Sequence, residues 1–185
     1  MSLTKKDLET ISKMISKAIN NNTAGNQIET PDWDRWEKEG IKSKLLGVTL
    51  APENYFEGDK KYFTWDEAME AQKHMPKGWR LPTKSEWVIL CEEFCCEDNG
   101  GLSSGKAQEI LKLGLDGYVG TDGELYGHGS YGYFWSSTAS SATSARYTYF
   151  FNSGYVNPGR GSNPKSYGFA VRCIKSGSME FGNDK

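Results

Sequence analysis

The sequence predicts an α+β fold, and three observations predict it. Two consecutive helices near the centre each open with Thr-x-x-Glu, at Thr64-x-x-Glu67 and Thr83-x-x-Glu86. In such a capping box the hydroxyl and the carboxylate satisfy amide donors that a helix start leaves unpaired. Short β-like segments flank these helices on both sides. Strand and turn signals then dominate the late half of the chain, which segregates helix from sheet.

Along the chain, residues 4–20 read as an amphipathic helix, with Leu8, Ile11, Ile15 and Ile19 on one stripe. It packs on the parent domain or serves as a short oligomerisation helix. Strand-like segments follow at 44–50 and 61–63. The first capped helix runs to about Met75 and stops at Pro76-Lys77-Gly78. The second places Trp87, Leu90, Cys91 and Phe94 at i, i+3, i+4, i+7, a single buried face. A third short helix is read at 106–113, with Gly114 as its terminator. Tyr118-Val119 and Leu125-Tyr126 flank a tight turn at Asp122-Gly123. Strands are expected around Phe134-Trp135, over 145–151 and over 169–174, with a turn at Asn152-Ser153-Gly154 and a long loop between. The organisation expected is an N-terminal helix and connecting segment over 1–39, one domain over 40–176 and a tail over 177–185.

At 185 residues the chain is long enough for one domain with a real core. Its N-terminus is polar and has no apolar signal core, and no run approaches the length of a membrane span. The net charge of −2 conceals an asymmetry: no carboxylate lies between Leu125 and Met179, where Arg146, Arg160, Lys165, Arg172 and Lys175 reside. A nucleic-acid site would need a denser basic stripe, so no nucleic-acid partner is expected. Cys91, Cys95, Cys96 and Cys173 lack ligand partners at zinc spacing and read as free thiols; neither metal nor cofactor is expected.

The residues that point to function lie in 136–170. Of these 35 positions, 19 are Ser, Tyr, Gly or Asn, and none is acidic. That is the palette of a combining surface: Tyr gives amphipathic area with few torsions to freeze, and the small polar residues adapt. A Gly/Ser linker would lack the aromatic and β-branched residues that run through Tyr147, Thr148, Tyr149, Phe150, Phe151 and Val156. Tyr147, Tyr149 and Phe151 alternate; periodicity leaves open whether they or their neighbours face the core.

The string Gly78-Trp79-Arg80-Leu81-Pro82-Thr83 with Glu86-Trp87, then Phe134-Trp135-Ser136-Ser137-Thr138, then Gly168-Phe169-Ala170-Val171-Arg172-Cys173, resembles the ordered signatures of the prokaryotic C-type lectin fold. That group includes formylglycine-generating-enzyme-like domains and the variable proteins of diversity-generating retroelements. The resemblance covers roughly residues 40–175 and is nearest to the variable proteins. It implies a diversified ligand-binding segment at about 139–167, in a phage tail component or a bacterial surface-display protein. Trp79, Trp87 and Trp135 are then core, and Arg172 is expected in a scaffold ion pair. The contact residues expected are Ser141, Thr143, Arg146, Thr148, Asn152, Tyr155, Asn157, Arg160, Ser162, Asn163, Lys165 and Tyr167. Among them Tyr155, Tyr167, Arg146 and Arg160 are the affinity anchors, and Gly154, Gly159, Gly161 and Gly168 set loop shape.

The partner expected is a protein or cell-surface ligand. Two other readings share the resemblance. A formylglycine-generating-like oxidoreductase would need a cysteine pair or a metal set in the C-terminal half, which offers Cys173 and His128. A calcium lectin would need carboxylates there, which leaves calcium-free sugar binding through Tyr and Asn.

Overall fold

Packing begins with four tryptophans, each of which packs a large apolar body and finds an acceptor for its one polar atom. The computed structural model describes residues 28–177. Trp36, Trp87 and Trp135 are fully buried. Their indole N–H groups donate to Glu53 Oε1 (2.8 Å), the Trp135 carbonyl (3.2 Å) and the Phe63 carbonyl (2.8 Å). Trp65 donates to the Ser136 carbonyl at 2.8 Å. These bonds fasten residues far apart in sequence without leaving a stranded donor.

The architecture is mixed α+β, with few helices and mostly antiparallel sheets. In chain order it begins with α1 (Trp33–Glu39), β1 (Ile41–Ser43), β2 (Val48–Leu50), α2 (Trp65–His74), β3 (Trp79–Arg80) and α3 (Lys84–Cys95). A short α4 (Ser104–Glu109) precedes β4 (Tyr118–Val119), β5 (Leu125–Tyr126), β6 (Tyr131–Ala139), β7 (Ser144–Phe151), β8 (Val156–Pro164) and β9 (Ile174–Ser176). One sheet has the order β1-β2-β9-β3, so the closing strand enters between early ones; another is β6-β7-β8. The helix α3 lays Trp87, Leu90 and Cys91 against Phe134, Phe150 and Val156 of the second sheet, forming one core. The other core gathers Trp36, Trp79, Trp135, Phe63, Phe169 and Val171.

Both capping boxes form, each Thr hydroxyl accepting from the N3 amide and each Glu carboxylate from the N-cap amide. Glu86 does more than cap: Arg80 grips it with two hydrogen bonds, of 2.7 and 2.5 Å. That grip, offset by partial burial and aided by the Thr83 amide, lowers the Glu86 carboxyl to about 2.

Several expectations are corrected. Residues 33–39, read as connecting segment, form a helix whose Trp36 is core, so the domain does not begin at residue 40. Of the strand expected over 44–50 only β2 forms; residues 44–47 are the turn of a hairpin that joins it to β1. The third helix ends earlier, at Glu109, and Lys112 takes a positive φ of 54°. The strand over 169–174 is broken: Phe169 and Ala170 make isolated bridges to Phe63 and Phe134 before β9 begins. Residues 156–164, read as loop, are the strand β8. Arg172 is scaffold, but its partners are carbonyls and Asn54 rather than a carboxylate. The helix expected at 4–20 and the tail from 178 lie outside the described residues. Among the described residues no helix is long and apolar enough to cross a membrane.

Truncating Trp87 to Ala should cost about 3–5 kcal/mol, measured by equilibrium denaturation, because a buried indole leaves a cavity. The Arg80–Glu86 pair gives a second test. A carboxyl held below its ordinary 4.5 contributes stability that is complete above that value and is lost as pH falls towards 2. Glu86→Gln should therefore lose roughly 2 kcal/mol at pH 7, and its stability should be flatter than wild type between pH 5 and 2.

Candidate functional site

Alternation along paired strands puts every second residue on one face. In the β6-β7-β8 sheet the register pairs Tyr131 with Phe151, Tyr133 with Tyr149, Trp135 with Tyr147, and Tyr149 in turn with Asn157. One face of this sheet is therefore aromatic from end to end. At its inner end Phe169 closes it, stacked on Trp135 at 4.2 Å and set against Tyr147 at 5.0 Å. This answers the open alternation: Tyr147 is buried on this face, while Thr148 and Phe150 are buried on the α3 face.

Beyond Phe169 the rings emerge into an open platform. Tyr133 and Tyr149 stack at 5.8 Å and 15°. Tyr118 from β4 stands edge-on to Tyr133 at 5.0 Å and stacks on Tyr126 at 5.6 Å. At the other side Tyr155 lies 5.9 Å from Tyr149 and 5.6 Å from Phe151, which meets Tyr131 at 4.9 Å. Tyr167 flanks Tyr118 at 5.9 Å. Tyr126, Tyr131 and Tyr155 are 42%, 37% and 50% exposed, a high fraction for large rings gathered in one place. Burial pushes the Tyr133 phenol up to about 12, so it remains a hydrogen-bond donor through the physiological range. Asn157 Nδ2 donates to Tyr149 Oη at 3.1 Å and Tyr155 Oη at 3.4 Å. Its Oδ1 is buried with no hydrogen-bond partner among the described residues.

The twelve contact residues expected from sequence do not form one patch. Tyr155, Asn157 and Tyr167 join the platform. Arg146 pairs with Ser162 across β7 and β8, on the opposite face from Tyr147, and donates to the Arg160 carbonyl at 3.1 Å. Ser162 Oγ meets Ser140 Oγ at 2.7 Å. Ser141, Thr143, Arg160 and Ser162 are exposed, while Arg146, Asn163 and Lys165 are half-buried. The Lys165 ammonium caps the Trp65 ring at 4.2 Å. Asn152 lies in the exposed turn between β7 and β8. Thr148 is corrected: it is fully buried, and its hydroxyl accepts the Gly159 amide at 2.8 Å.

That bond explains how a strand forms in a stretch of Gly, Pro, Ser and Asn. The β7–β8 register shifts between Tyr147 and Tyr149, and the bulged Gly159 has a φ of +62° with space beside the Lys84 carbonyl for no Cβ. Gly161 lies under the Tyr147 ring, where a Cβ would come within 2.5 Å of it.

Tyr118, Tyr126, Tyr131, Tyr133, Tyr149 and Phe151 were not among the expected contacts. The signal was present as aromatic-x-aromatic alternation in 131–135 and 147–151; only knowing that these runs pair reveals the platform. A separate cleft of about 490 Å³ is lined by Glu53, Asn54, Tyr62, Lys61, Asp116 and His128. Its acidic groups are engaged, Asp116 by Asn54 at 3.0 Å and Glu53 by Arg35 and Trp36. Among the described residues no three His, Cys, Asp or Glu gather as metal ligands would.

These features describe an α+β domain that displays an aromatic surface on an antiparallel sheet. The profile of the Fibrobacter succinogenes major domain matches residues 6–175, and the chain belongs to that family. No curated protein matches it.

Replacing Thr148 by Val keeps the shape and strands the Gly159 amide, so it should cost about 1–3 kcal/mol. Gly159→Ala should be at least as damaging, since it adds a strained φ to a backbone clash. Thermal unfolding of both variants checks this.

Proposed function

We propose that this protein is a non-catalytic recognition module, built on a C-type lectin scaffold, that captures a protein or cell-surface ligand. The observation that carries the reading is the uncharged platform, with large rings part-exposed on a sheet whose other face is packed against α3. A site that binds without chemistry needs shape, area and adaptable hydrogen bonds more than perturbed nucleophiles. The platform has all three, and it extends the sequence-derived surface to residues well before 139.

The lectin scaffold is supported by the order of the motifs. Trp79-Arg80 forms β3 beside the closing strand, Thr83 and Glu86 cap α3, and Trp135 joins that helix to the sheet. On the formylglycine-type alternative Cys173 would act as a thiolate. It is instead buried beside Met75 at 3.7 Å, and burial pushes its thiol up.

The further reading is that 139–167 is diversified, as in retroelement variable proteins, and displayed on a phage tail or bacterial surface. It is supported by the exposure of Ser141, Thr143, Asn152, Tyr155, Arg160 and Ser162. Sequencing the DNA around the gene tests it. The expected result is a near-copy of the codons for 139–167, differing mainly at adenines, beside a reverse transcriptase. A gene with no such repeat contradicts diversification.

A further inference from the structure

We infer that the free edge of β8 accepts an added strand, an extended acidic segment of a protein partner with carboxylates at positions i and i+2. This surface lies away from the tyrosine platform and does not depend on it.

The edge comes from the topology. β8 is the end strand of the β6-β7-β8 sheet, and among the described residues no bridge reaches its outer side. The Lys165 amide donates to the Thr143 carbonyl at 2.9 Å and the Gly159 amide to Thr148 Oγ1 at 2.8 Å, so odd-numbered residues face β7. Backbone groups alternate along a strand, which turns the N–H and C=O of Arg160 and Ser162 outward. Pro158 and Pro164 hold the flanking outward positions and have no N–H to offer. The open edge is therefore short and bounded, with Arg160 and Ser162 as its donors. Such an edge suits one added strand rather than endless stacking.

The chemistry of the partner comes from charge. Phe150 and Val156 pack on α3, and further along the same face Arg160 and Ser162 are exposed. Arg146, paired with Ser162, extends its guanidinium across β8 to the Arg160 carbonyl, so both arginines stand at the open edge. None of the ion pairs among the described residues involves either arginine. Asp66 lines the hollow beyond Pro164, as does Lys165. A strand laid along this edge places every second side chain on the face of the two arginines. Carboxylates at those positions gain charge-assisted hydrogen bonds to guanidinium groups. A second copy of the chain is the poorer occupant, because pairing β8 with itself sets arginine beside arginine.

The test is calorimetric titration of the full chain with a capped peptide, Ser-Thr-Glu-Val-Glu-Thr-Ser. One comparison peptide carries Lys in place of both Glu, and another is N-methylated at both Glu, which keeps the charge and removes the donors. The expected result is binding of the acidic peptide, weakened by salt, with both comparison peptides about tenfold weaker or more. Arg160→Ala and Ser162→Pro should each weaken the acidic peptide about tenfold. Ser162→Ala keeps the outward N–H and should bind better than Ser162→Pro, and Lys38→Ala on α1 should change nothing. Circular dichroism melts confirm that each variant is folded; should Ser162→Pro not fold, the N-methylated peptide carries the same test. The inference is overturned if the acidic peptide does not bind, if the N-methylated peptide binds equally well, or if Arg160→Ala binds as wild type does. A wild-type dimer in sedimentation velocity that Ser162→Pro dissociates would give the edge to a second copy and overturn it as well.

Discussion

A single buried guanidinium ties the two halves of this molecule together. Arg172 is fully enclosed and donates to the carbonyls of Ala51 (2.9 Å), Leu111 (3.1 Å) and Lys112 (2.7 Å) and to Asn54 Oδ1 (3.0 Å). Asn54 passes the connection on to Asp116. Burial lowers the guanidinium to about 10, so it remains charged at neutral pH. A desolvated charge is tolerable only when its donors are satisfied, and this one is satisfied by two distant stretches of backbone, at Ala51 and at Leu111–Lys112, and by the Asn54 side chain. The cluster therefore sets where residues 51–54 and 111–116 can lie relative to the closing segment.

From that clamp the rest of the framework follows. Residues 169–176, which carry Arg172, run into the first sheet between β2 and β3, and at their start Phe169 packs against Trp135 and Tyr147. The second sheet is thus covered on one face by α3 and on the other by Phe169. What Phe169 does not cover is the platform. Exposure of the outer tyrosines is then a consequence of where the chain closes, rather than a defect in packing. Framework and surface are thus distinct in place: the tryptophans, Arg172 and the Thr148–Gly159 bulge are buried, while Tyr126, Tyr131 and Tyr155 stand part-exposed.

The parts legible in the sequence are those governed by local rules. The two capping boxes, the β4–β5 hairpin and the buried stripe of α3 depend on residues a few positions apart, and they form where expected. The strand β8 was not legible, because Gly, Pro, Ser and Asn have little strand propensity and its pairing is imposed by β7. The partners of Arg172 could not be read either: Asn54 is 118 positions away, in a triplet that reads as ordinary loop. The candidate surface was half visible. Composition singled out Tyr155, Asn157 and Tyr167, but composition cannot tell which face a residue occupies. It therefore included Thr148, which the bulge needs inside, and merged Arg146 with rings on the other side of the sheet.

The central claim is that framework and contact surface are energetically separate. Equilibrium denaturation of two variants tests it directly. One replaces Ser141, Thr143, Asn152, Tyr155, Arg160 and Ser162 together by Ala; the other is Arg172→Met. The account predicts a loss below about 2 kcal/mol for the six surface changes and about 3–5 kcal/mol for the single buried one, which strands three carbonyls. Comparable losses in the two would contradict it, because the exposed segment would then be part of what holds the fold together.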